Sequence, residues 1–101
     1  MKKTVLTIYL NEADRVGEFP LYEEVLRRLL HSDIVGATVT PGLMGYGKHG
    51  RVHRKRLFGV SDDRPVVITA IDEDARIRRV LTELQALVVE GLITLHEVEV
   101  V

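Results

Sequence analysis

VVITAIDEDARIRRVLTELQALVVEGLITLHEVEVV, residues 66–101, decides the fold. VVITAI, residues 66–71, is β-branched and apolar on both faces, as a strand covered on both sides must be. Asp72 is placed to cap a helix, and Glu73 and Asp74 suit the positive end of its dipole. Ile77, Val80, Leu81, Leu84, Leu87 and Val88 then recur at helical spacing, and Gly91 stands where helices often stop. LITLHEVEVV, residues 92–101, predicts another strand, with a change of phase at His96–Glu97 that suggests a bulge.

The first half repeats the pattern. TVLTIYL (4–10) reads as a strand and NEADRVGE as a turn. Pro20 fits a first helical turn, and Tyr22, Val25, Leu26 and Leu29 form one apolar stripe. IVGATVT (34–40) predicts a second strand. The order βαββαβ with right-handed crossovers gives an α+β, ferredoxin-like sandwich. Its four-stranded antiparallel sheet carries both helices on one face. The chain reads as a single domain, 1–101, with a long loop inserted at about 42–64.

This arrangement leaves one sheet face without helices. Val5, Leu6, Ile8, Tyr9, Leu10 and VVITAI offer apolar side chains to both sides. A bare face of that kind exceeds what a monomer usually exposes, so the sequence predicts a homo-oligomer with its sheets turned inward.

GLMGYGKHGRVHRKRLF, residues 42–58, fills the inserted loop. Gly42, Gly45, Gly47 and Gly50 precede a run in which Lys48, Arg51, Arg54, Lys55 and Arg56 supply five of the chain's 14 Lys+Arg. The other nine face all 15 Asp+Glu, so a local basic site sits on an acidic body although the total charge is only −1. Gly42, Gly47 and Lys48 spell the front of a P-loop, and Gly45, Gly47 and Gly50 a dinucleotide fingerprint. Both motifs need a helix at once, and RVHRKRLFGVSDDRP has no apolar helical stripe. His49 also stands where the P-loop needs Ser or Thr. The chemistry of an anion cradle survives the loss of the motif: glycines bring backbone N–H groups close, and Arg and Lys add charge. A hairpin whose glycines give flexibility and whose charges keep it soluble, and a loop that docks a protein, are the alternatives.

Other chemistries are weaker. His49 and His53, four apart, stand roughly 13 Å apart in a strand, too far for one ion, and no metal site is assigned. Histidine beside a phosphate suits them better. His31 at a helix end and a half-buried His96 read as structural. Basic residues without interleaved aromatics argue against nucleic acid. No triad spacing exists, so no catalytic residue and no enzyme is assigned. No run of about 18 apolar residues exists, the start lacks a cleavage site, and cysteine is absent. A reducing cytoplasm fits.

Taken together, EADR, PLYEEVLRRL, GATVTPGLMGYGKHGRVH, RPVVITAID and VEGLITLHEVEVV make the chain resemble, over nearly its whole length, the PII-like family known as domain of unknown function 190. The resemblance implies a trimer related to PII signalling proteins, with nucleotides in the clefts between subunits. It also implies that residues 42–58 are the T-loop, which touches effectors and partner proteins. By position it carries a ligand role to Gly45, Gly47, Lys48, Gly50, Arg51 and His53; His49, Arg54 and Arg56 join them on charge. VVEGLITL lacks the second glycine-and-lysine loop of PII proteins, and no basic segment follows the last strand. The loop's bases must then supply the charge for a nucleotide, and a smaller adenylate fits as well as ATP. No cofactor is required by this reading. It describes a cytoplasmic signalling protein that binds a small anion, such as an adenine nucleotide, and docks a partner, a membrane transporter or channel being one kind. The alternative is an adaptor with no small ligand.

Overall fold

The computed structural model describes residues 1–47, 52–54 (backbone alone at 53 and 54) and 63–101. Strands β1 (Lys2–Asn11), β4 (Ala37–Pro41), β7 (Pro65–Asp72) and β8 (Leu92–Glu99) form one antiparallel sheet in the order β4-β7-β1-β8. Helices α1 (Leu21–His31) and α2 (Asp74–Leu87) pack against each other and on the sheet. Two short hairpins complete the described elements, β2 (Arg15–Val16) with β3 (Phe19–Pro20), and β5 (Met44–Gly45) with β6 (His53–Arg54). This is the α+β, ferredoxin-like arrangement that the sequence predicts.

Alternation in the central strands sorts the side chains. Leu6, Ile8 and Leu10 of β1 and Val66, Ile68 and Ala70 of β7 are buried with Leu21, Val25 and Leu29 of α1 and Ile77, Val80 and Leu84 of α2. The α1 stripe therefore runs through Leu21 rather than Leu26, which is 37% exposed. The helix begins directly after Pro20, so Leu21, Val25 and Leu29 share one side at four-residue spacing. Gly17, at φ 61, turns the β2–β3 hairpin, and Arg27 lies 5.9 Å over the Phe19 ring beside it.

Two details differ from the sequence reading for one reason. The predicted strand 34–40 begins only at Ala37, and Asp72 is not the helix cap; Glu73 is. Asp72 closes β7, and its buried carboxylate accepts the N–H of Val35 at 2.9 Å and of Glu73 at 2.7 Å. Val35 is thereby diverted from the sheet. Burial pushes the Asp72 carboxyl up. The N–H donors of Glu73 and Val35 and the charges of Arg76 and Lys3 outweigh it and hold it below the ordinary carboxylate value. A depressed carboxylate stabilises the fold above its unfolded pKa, near 4, and that contribution is lost as pH falls through the folded value. Asp72→Asn should lower stability by about 2 kcal/mol at neutral pH, the scale of hydrogen bonds to a charge. Urea unfolding at pH 7 and pH 3 should show that the variant also loses part of the wild-type acid lability.

β8 pairs with β1 without interruption from Tyr9↔Leu92 to Lys2↔Glu99, so no bulge marks His96–Glu97. The change of pattern arises because Leu95 is the last β8 residue packed on the core; Glu97 beyond it pairs with Lys2 at 3.3 Å. His96 is exposed on the face without helices, not half-buried.

The same register draws that face in detail. Leu92, Tyr9, Val67 and Thr40 form one cross-strand row, and His96, Val5 and Ile71 another. Between them runs a row of four threonines, Thr94, Thr7, Thr69 and Thr38. The face is thus two largely apolar bands around a hydroxyl band, rather than the unbroken apolar surface that the sequence suggests. Among the described residues Tyr9 is 46%, Ile71 39% and Leu92 58% exposed there.

Candidate functional site

β1 ends, β7 and β8 begin, and the glycine-rich loop departs, all at one end of the sheet. A cleft of about 1070 Å³ opens there. Tyr9, Leu10 and Val67 belong to its strands; Met44, Gly45, Tyr46 and Gly47 to the root of the loop; Val89, Glu90, Gly91 and Leu92 to the α2–β8 link. Its size matches pockets that hold cofactor-sized ligands.

The loop is fastened at both ends. The Gly42 N–H donates to the Pro65 carbonyl at 2.7 Å, and a Cβ on Gly42 would lie 2.8 Å from Pro65 Cγ. Met44 pairs with Arg54 and Gly45 with His53, which makes the root a short ladder. On the exit side the Glu12 N–H donates to the Arg64 carbonyl at 2.8 Å, and the Ala13 N–H to Asp63 Oδ1 at 3.3 Å. Arg64 Nη2 donates to Glu12 Oε2 at 3.3 Å, whereas Nε and Oε1, also 3.3 Å apart, form an ion pair outside hydrogen-bond geometry. Both side chains are only partly exposed, and the Nε and Oε1 atoms themselves are buried. The Asp14 carboxylate accepts the Asn11 N–H at 2.9 Å and so fixes the turn that forms the cleft's outer wall.

Gly91 sets the opposite wall. A Cβ there would stand 2.5 Å from Val88 Cγ1, 2.7 Å from the Tyr9 carbonyl and 2.8 Å from Leu10 Cδ2. The link between α2 and β8 is therefore pressed onto β1, which only glycine permits. The two charged side chains among the described lining residues, Asp14 and Glu90, are both acids.

Of the residues singled out in the sequence, Gly45 and Gly47 line the cleft. His53 and Arg54 lie in β6 opposite Gly45 and Met44. Lys48, His49, Gly50, Arg51 and Arg56 lie outside the described residues. Sequence reasoning missed Tyr9, Asn11, Asp14 and residues 89–92, because strand pairing alone joins three distant segments. Gly91 was the available signal, read there as a helix stop. No helix among the described residues is long and apolar enough to cross a membrane.

The DUF190 family model, described as Uncharacterized ACR, matches residues 3–100. A UPF0166 protein of Aquifex aeolicus is 37% identical over 101 residues, covering 100% of this chain and 95% of that protein. A UPF0166 protein of Methanocaldococcus jannaschii is 35% identical over 101 residues, covering 99% and 93%. Among solved structures, CPII of Thiomonas intermedia K12, a nitrogen regulatory PII-like protein bound to ADP, AMP and bicarbonate, superposes with TM-score 0.77. Identity is 22%, with 99% of this chain and 89% of that one covered. The periplasmic divalent cation tolerance protein CutA of Archaeoglobus fulgidus superposes at 0.60, with 13% identity over 98% and 85% of the two chains. The fold is thus PII-like, and the chain belongs to the DUF190 family.

Proposed function

We propose that the protein is a PII-like regulator, not an enzyme, which binds a small anion at the root of its basic loop and docks a partner protein in response. One observation carries this reading: the cleft opens where Gly45 and Gly47 leave the sheet, directly before Lys48 and Arg51. A ligand seated there has its anionic end beside Lys48, His49, Gly50, Arg51, His53, Arg54 and Arg56. Neutralising that charge changes the surface the loop offers to a partner. An adenine nucleotide is the candidate, supported by the description of CPII as bound to ADP and AMP. The helix-free face packs against further copies, in a trimer, and brings each cleft against a neighbour; the apolar bands at Tyr9 and Ile71 support this. The setting is the cytoplasm, and residues 42–64 act as the T-loop of a single domain.

Calorimetry with AMP, ADP and ATP tests the reading. Lys48→Ala and Arg51→Ala should each weaken nucleotide binding by about tenfold, one charge-assisted hydrogen bond's worth. Silence across all three nucleotides would favour an adaptor that uses the loop without a ligand. Leu43, 94% exposed on the loop, is the observation that supports that second reading.

A further inference from the structure

The helix-free face carries groups of one charge sign. Among the described strand residues that alternation places on it, Lys3 and His96 are basic and none is an acid; Tyr9 is the remaining titratable group. Lys3 stands opposite Val98 and His96 opposite Val5, so the two basic side chains are diagonal neighbours on adjacent strands. Nearby acids lie elsewhere. Glu97 and Glu99 project from the other face of β8, and Glu97 pairs with Lys2 at 3.3 Å. Asp72 holds the N–H groups of Val35 and Glu73, while Asp74 accepts the Thr4 hydroxyl at 2.8 Å and Arg78 Nε at 2.9 Å. Glu73 lies past the end of β7, as the cap of α2. Val5, between His96 and Ile71, is 6% exposed although no helix covers it, so its neighbours on the face close over it and the imidazole stands in an apolar band.

Resting on the assembly reading above, we infer that His96 makes the association of copies through this face sensitive to pH. The occupant of the face is a second copy of the chain. Threonine hydroxyls both donate and accept, so a hydroxyl band between two apolar bands complements its own copy. Closing copies over the face gathers basic groups with no strand acid to offset them. Lys3, near the start of β1, has a stem long enough to carry its ammonium outward. The short His96 side chain has no such reach, and its ring is buried neutral. An imidazole gains its proton between about pH 8 and pH 5. A base that takes a proton less readily in the assembly than in the free chain favours association at higher pH. That contribution is lost as pH falls through the range of a free histidine, near 6.5. The copies therefore hold together at neutral pH and loosen in mild acid, above the range in which carboxylates titrate.

Sedimentation velocity of the full chain over a dilution series, at pH 7.5 and pH 5.5, tests this. Excluding one proton from each chain costs about tenfold per chain over that interval, so the concentration of half-dissociation should rise by about tenfold or more at pH 5.5. His96→Gln fixes a neutral side chain and should abolish the shift. His96→Lys fixes a charge and should dissociate at pH 7.5 as the unaltered protein does at pH 5.5. His31→Gln, at the exposed end of α1, should keep the full shift. His96 is exposed in the single chain, so all three variants should fold, which circular dichroism at both pH values checks. A shift of equal size in His96→Gln, or a half-dissociation point that stays put between the two pH values, would overturn the switch and leave the packing of the face intact. Single chains at both pH values would overturn the packing, and the switch with it.

Discussion

Ile71→Lys is expected to leave the protein folded and to reduce it to single chains. Ile71 lies on the helix-free face, beside Val5 in the band away from the cleft, and is 39% exposed in the isolated chain. In an isolated chain a lysine there lays its stem along the sheet and keeps its charge in water, a change worth within about 0.5 kcal/mol. In an assembly packed through that face the same ammonium is buried without a partner. An uncompensated buried charge costs about 3–5 kcal/mol per site, enough to weaken association more than a hundredfold. Light scattering after size exclusion checks the mass, and circular dichroism checks the fold. The threonine row offers a contrast. Thr7 and Thr69 lie at the centre of the face, and Thr→Val there removes hydroxyls that could pair across copies while keeping the shape. Replacing both members of a hydrogen-bonded pair is close to neutral, so those variants should stay associated.

The second large effect is expected at Gly91. Alanine there meets two side-chain carbons and, more seriously, the Tyr9 carbonyl, which belongs to a central strand paired on both sides. Side chains can rotate, but a strand backbone held in two ladders cannot move alone. Overpacking of this kind costs about 1–3 kcal/mol or somewhat more. At the upper end, thermal unfolding should shift down by about 10–20 °C for a domain of this size. The cleft should suffer as well, because relief of the clash must lift the α2–β8 link off β1 and displace Val89 and Leu92. Gly36→Ala is the control: a Cβ there would meet nothing within 4 Å and its φ is not positive, so stability should hold. Differential scanning calorimetry of the two variants side by side separates crowding from a general intolerance of losing glycine.

How far the sequence could be read depends on whether the deciding interactions are local. Helices and central strands follow from side-chain periodicity, and Ile77, Val80 and Leu84 bury as their spacing says. Boundaries fail where a distant group intervenes. β4 starts late because the Asp72 carboxylate, 37 residues away, takes the Val35 N–H. The hydroxyl band on the open face was equally hidden. Thr7, Thr38, Thr69 and Thr94 are far apart in sequence and align only through the register of three strand pairs. The site divides in the same way. Gly45 and Gly47 could be picked out because their cluster of glycines is contiguous. The walls at Tyr9, Asp14 and Val89 could not, since no spacing connects residue 9 with residue 89. The described walls of the cleft are apolar and acidic, while Lys48, Arg51 and Arg56, which point to an anion in the sequence, lie outside the described residues.

Sedimentation equilibrium of the unaltered protein at micromolar concentration tests most directly whether the helix-free face joins copies and completes the cleft. Three chains of 11.4 kDa should travel together, giving a mass roughly three times that of one. A folded species at 11.4 kDa would contradict the account, because the open sheet face would then meet water and each cleft would stand alone.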